Sequence, residues 1–148
     1  KNMQAGLQTV TAFGVLAVQM PGQHNAPSHR LARDMAARMF PDRFDYRDWR
    51  PAVAMPADYM RMLEPFGAVN AWETEYIQLL DPAPEGHPVR RFTESTMLRP
   101  ILERLTESEA TAYIAAYDAE MAEAYPLLPN GAAMFPFRRV FFVLTRAD

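Results

Sequence analysis

Four short segments carry side chains suited to chemistry. Ala26-Pro-Ser-His-Arg-Leu31 puts His29 and Arg30 in the first turn of a helix that follows an apolar strand. In open α/β sheets ligands bind at the carboxyl ends of strands, and helix amino termini favour anions. A capped surface helix with its normal charges accounts for the same two residues without any ligand. In Asn70-Ala-Trp-Glu-Thr-Glu-Tyr76 the two-residue period sends Trp72, Thr74 and Tyr76 to one face and Glu73 and Glu75 to the other. A half-buried edge strand reads the same way. Thr96-Met-Leu-Arg-Pro100 fixes Arg99 in front of a proline, and Arg138-Arg139 opens the last strand, where one side chain can face a cleft and the other solvent.

Three of the four segments carry arginine, and 14 of the 15 basic residues are arginine, for which the base composition that also gives many alanines is the ordinary reason. The planar guanidinium gives a carboxylate or phosphate two parallel hydrogen bonds. Other chemistries are excluded. With no cysteine there is no thiol nucleophile, disulfide scaffold, zinc–thiolate site or iron–sulfur cluster. The glycines occur singly, so no glycine-rich dinucleotide or phosphate loop is present, and no Asp, Glu and His are spaced to hold a metal. A net charge of −3 provides no general field for nucleic acid. The arginines and aromatics of 43–50 are interleaved with Asp42, Asp45 and Asp48, which argues against a single-strand platform. The longest apolar runs, 13–18 and 140–144, are far short of a membrane span. With no basic-then-apolar leader at the start, a cytoplasmic protein is expected.

At 148 residues one domain with a real core is expected. Gly14-Val-Leu-Ala-Val-Gln-Met20 reads as a strand buried on both faces, closed by Pro21-Gly22. A helix follows over 28–39 with Ser28 as its N-cap, and a second over 56–63 opens on a proline. Residues 68–80 form a strand, and 89–96 and 99–105 two short helical turns. Thr106-Glu-Ser-Glu109 is a capping box that opens the clearest helix, with Tyr113, Tyr117 and Met121 on its apolar stripe. Residues 135–145 make a terminal strand. His24 and His87 fall in loops, where a solvated role is the ordinary one. The weakly patterned stretch 1–11 is helix or loop.

In order and spacing, six segments together resemble the trans-aconitate 2-methyltransferases. They are Gly14-Val-Leu-Ala-Val-Gln-Met-Pro21, Pro27-Ser-His-Arg-Leu31, Val69…Trp72-Glu-Thr…Tyr76, Leu98-Arg-Pro100, Ala124-Tyr-Pro126 and Pro136-Phe-Arg-Arg-Val-Phe-Phe-Val-Leu-Thr-Arg146. The resemblance covers residues 13–146. It implies an α/β fold, the C-terminal part of a Rossmann-like methyltransferase sheet. The fifth, seventh and sixth strands would lie in that spatial order with the last antiparallel, and helical substrate-binding insertions would fall at about 22–65 and 82–130. The family's glycine-rich cofactor loop would lie upstream of this chain, so its cofactor-binding residues are unknown here. An exposed fifth strand would invite homo-oligomers through the sheet edge.

The activity implied is S-adenosylmethionine-dependent methyl transfer to a carboxylate of trans-aconitate, giving a monomethyl ester. No residue would act as acid or base. Arg30, Arg99 and Arg138 would clamp the carboxylates, His29 and Tyr76 would donate hydrogen bonds, and Trp72 would wall the site. After Trp-Glu-Thr this chain has Glu75-Tyr-Ile-Gln78 where the family tends to have Thr-Tyr-Tyr-His. A methyltransferase for another small carboxylic acid, and a non-catalytic substrate-binding or dimerising module, are therefore the alternatives.

Overall fold

Gly67 has φ +153°, and a Cβ there would lie 2.4 Å from the carbonyl oxygen of Thr145. That close approach joins the second helix to the sheet. The computed structural model describes residues 14–146, and the stretch 1–11 lies outside the described residues. Within them the chain divides into two compact units, one of residues 14–22, 51–76 and 137–146, the other of 23–50 and 77–136.

The first unit holds strand β1 (Val15–Pro21) and the greater part of β2 (Ala68–Leu80) and β3 (Ala133–Thr145). Their order is β1-β3-β2. β1 runs antiparallel to β3, in register from Val15 opposite Thr145 to Pro21 opposite Arg139. Trp72 lies against Phe141 and Tyr76 against Phe137, so β2 also runs opposite to β3. The expected order of three strands, with the last antiparallel, is what the sheet has. Helix α2 (Pro56–Leu63) begins on a proline as expected and buries Tyr59 and Leu63 on Val140, Phe142 and Leu144. The Tyr59 and Phe142 rings are 5.1 Å apart, and the Tyr59 hydroxyl donates to Met20 Sδ at 3.4 Å.

β1 differs from its sequence reading. It is an outer strand of this sheet, half-buried at Leu16, Val18 and Met20 and exposed at the residues between. α2 packs on one face only, so one side of the pleat is covered and the other is not.

The second unit packs α1 (Pro27–Met39) against α5 (Glu107–Ala124). Tyr113 and Tyr117 stack within 6° of parallel, and their hydroxyls donate to the carbonyls of Ala32 and Ser28, each at 2.8 Å. Burial pushes both phenols well above the ordinary tyrosine range. The Thr106 capping box is complete, with both reciprocal bonds made. An N-cap of this kind stabilises a helix by about 1 kcal/mol. Arg43 forks onto the same Glu109 carboxylate at 2.9 and 2.5 Å.

Ser28 is not the cap of α1. Pro27, with φ already fixed for a helix, takes the first turn, and Ala26 precedes it without a side-chain bond. Ser28 is buried inside that turn, and its amide donates to the Tyr125 hydroxyl at 3.1 Å.

α3 (Pro88–Thr93), a π-helical turn at Glu94–Leu98 and α4 (Arg99–Leu102) follow one another. His87 is buried, against the expectation of a solvated ring. It caps α3: Nδ1 accepts from the Val89 amide at 3.2 Å, which leaves Nε2 to donate to the Tyr125 carbonyl at 3.0 Å. Burial holds its pKa below the ordinary histidine value. No described helix is long and apolar enough to cross a membrane.

Candidate functional site

In the second unit, α1 carries the His29–Arg30 pair at its start. The Ser28 hydroxyl and His29 Nδ1 are 3.1 Å apart. Burial first, then the charges of Arg33 and His24, pull the His29 pKa down to about 4, so the ring is neutral at pH 7. Arg30 is exposed and reaches Asp34 one turn on, at 3.4 Å. The sequence reading missed a cluster beside this turn. Arg33 lies over the Trp49 indole, 3.9 Å from the ring centre, and its Nη2 donates to the His24 carbonyl at 2.7 Å. The His24 and Trp49 rings are 6.4 Å apart. The signal was present: residues 29 and 33 are four apart on a helix, the spacing that puts two side chains on one face.

Arg99 belongs to the same unit but not to that cluster. Its guanidinium projects into solvent and pairs with Glu103 at 2.7 Å, and it makes no hydrogen bond or ion pair with His29 or Arg30.

The remaining candidates are in the first unit, on opposite faces of the sheet. Trp72 stacks on Phe141, 5.2 Å apart and within 4° of parallel, while Tyr76 leans on Phe137 at 5.7 Å. The Arg139 guanidinium carbon also lies over the Phe137 ring, 4.5 Å from its centre. Arg138 points the other way, to Glu73 and Glu75, at 3.2 Å each. The pleat thus sorts these residues as the two-residue period required. It puts Trp72 and Tyr76 on one face, each against its own phenylalanine, and Arg138 on the other, beside the carboxylates.

The four glycines described in turns are each otherwise engaged. An added Cβ would press on Val140 at Gly22, on the Thr145 backbone at Gly67 and on Arg90 at Gly86, while Gly131 faces Pro82. No described residue is assigned to S-adenosylmethionine. Among the described residues no group of three or more His, Asp or Glu is placed to hold a metal ion.

An antiparallel sheet in the order β1-β3-β2, flanked by helices, is an α/β arrangement consistent with part of a methyltransferase-like domain. No protein-family model matches the chain. Proteins named trans-aconitate 2-methyltransferase do. The one from Streptomyces avermitilis is 42% identical over 134 residues, covering 88% of this chain and 48% of the relative. Those from Mycobacterium sp. strain KMS and Rhodococcus jostii are 39% and 40% identical over 140 and 134 residues, each covering 86% of this chain and 51% of the relative. Over nearly its whole length the chain is similar to one half of proteins of that name. It spans about half the length of the curated relatives it matches.

Proposed function

We propose that this chain is the substrate-facing part of an S-adenosylmethionine-dependent methyltransferase that esterifies one carboxylate of trans-aconitate. The observation that carries this reading is the 42% identity over 134 residues to a protein of that name. The acceptor carboxylates are ionised at pH 7, so the attacking oxygen needs no base. The protein's work is to orient the acid and to neutralise its charge. For such positioning, effective molarities of about 10⁵–10⁸ M set the scale of the gain.

Arg30, Arg99 and Arg138 are the proposed clamps. Each now pairs with an exposed or half-exposed carboxylate of the chain, Asp34, Glu103, or Glu73 and Glu75. Such pairs are worth about 0–1 kcal/mol, so an incoming polycarboxylate can take over the guanidinium. His29 and Tyr76 would donate hydrogen bonds, and Trp72 would supply an apolar wall.

A second reading is a non-catalytic substrate-binding or dimerising module. Calorimetric titration of the 148-residue chain with S-adenosylmethionine at about 50–100 μM protein is the first test. Binding, followed by turnover on trans-aconitate, supports the enzyme. A folded chain that binds no S-adenosylmethionine is at most the substrate-facing half, and turnover by the full-length protein then decides between enzyme and module. Turnover on a panel of di- and tricarboxylates identifies the acceptor.

A further inference from the structure

We propose that Arg33, backed by Trp49 and flanked by His24 and His29, is the anchor of a carboxylate-binding subsite on α1. Its choice of ligand rests on the polycarboxylate acceptor proposed above.

Arg33 is half-buried, and the indole of Trp49 covers one face of its guanidinium. A guanidinium has five N–H donors, and a single hydrogen bond is formed here, to the His24 carbonyl. Arg30, Arg38, Arg43 and Arg47 of the same unit each hold an Asp or Glu. Among the described residues no carboxylate oxygen lies within 4.0 Å of Arg33. The charged and titratable groups around it are Asp34, Tyr46, Arg30 and His29. Asp34 is already engaged by Arg30, and burial raises the Tyr46 phenol, which keeps it neutral. Asp34 acts on the guanidinium at a distance, but no carboxylate is bonded to it, and it is held by a flat aromatic platform and partly withdrawn from water. A carboxylate meeting the edge of the fork would gain two parallel bonds that a lysine cannot provide.

His29 gives the subsite a reporter. Its pKa is low because of burial and because of the neighbouring charges of Arg33 and His24. An anion bound on Arg33 offsets those charges, so the ring takes up a proton more readily.

The test is a titration of the 148-residue chain with trans-aconitate, read by calorimetry and by the imidazole NMR signals of His29. On saturation the His29 pKa should rise toward the ordinary value near 6.5. Arg33→Ala should weaken binding more than tenfold and abolish the rise, and Arg33→Lys should restore part of the affinity. Arg33→Gln, which keeps the packing on Trp49, is the companion should the alanine variant misfold. A folded Arg33→Gln chain that binds trans-aconitate as tightly as the parent overturns the proposal. So does inorganic phosphate competing as well as the tricarboxylate. A full-length protein that binds trans-aconitate through Arg33 without methylating it would sink the enzymatic reading and keep the subsite. Methyl transfer with a KM indifferent to Arg33 would do the reverse.

Discussion

The Arg99 guanidinium lies 2.7 Å from the Glu103 carboxylate, one helical turn further along the chain. Both side chains are more than half exposed, at 69% and 60%. The pair therefore contributes little to folding, and Glu103 acts as an internal competitor for any anion that Arg99 is meant to hold. Arg99→Ala should raise the Kd for trans-aconitate more than about tenfold, roughly 1.4 kcal/mol, and leave the urea midpoint nearly unchanged. Glu103→Gln should tighten binding by releasing the arginine. Calorimetry on both variants checks this, and equal affinity in parent and Arg99→Ala removes Arg99 from the site.

Trp72 combines a packing role with a candidate binding one. Its ring stacks on Phe141 while remaining 39% exposed. Losing such an aromatic pair costs about 0.5–1.5 kcal/mol beyond the area buried. Trp72→Ala should lower the urea midpoint by that order. Trp72→Phe should recover most of the stability, and with it the trans-aconitate affinity if the residue supplies only an apolar wall. Restored stability without restored affinity would show that the indole itself is recognised.

Much of this architecture was legible in the residues. Pro56, the capping box at Thr106 and the alternation through Trp72, Thr74 and Tyr76 are local signals, and local physics decided them. What was not legible depended on partners distant in sequence. The burial of His87 comes from the Tyr125 carbonyl, 38 residues away, and Ser28 is tied to the Tyr125 hydroxyl, 97 residues away. The apolar run at β1 could not say whether one face or two would be covered. For the candidate site, the face of each β2 and β3 residue followed from period two. Arg33 escaped notice because its platform, Trp49, belongs to an irregular loop with no period to read.

β1 is an outer strand of the described sheet and carries no charge from Val15 to Met20. Edges of this kind, lacking the charges that β2 has in Glu73 and Glu75, pair readily with another strand. The 148-residue chain should self-associate at about 100 μM, near the affinity range of weak pairing. Ala17→Lys, which sets a cation on the uncovered face of that edge, should shift it to monomer. Sedimentation velocity reports both. A monomeric parent, or an Ala17→Lys chain that sediments unchanged, discards the edge as an interface.

Acid should weaken the fold in two stages. His29 titrates near 4 in the folded chain, below its ordinary 6.5, because burial and the charges of Arg33 and His24 oppose the cation. The unfolded chain therefore binds a proton first, and stability falls as pH drops from about 6.5 to about 4. His87, also depressed by burial, adds in the same direction. Glu109 acts in the same direction at lower pH. Hydrogen bonds from Arg43 and then from the Thr106 amide hold it near 2, so its contribution is complete above its ordinary 4.5 and disappears on the way to 2. Asp45, held near 2 by Arg47, adds to this lower stage. Urea midpoints measured between pH 7 and 3 should show both slopes. His29→Gln should flatten the upper slope and leave the lower, and Glu109→Gln should do the reverse. If His29→Gln keeps the full upper slope, the ring is not held neutral by its surroundings, and the Arg33 charge beside it loses its nearest witness.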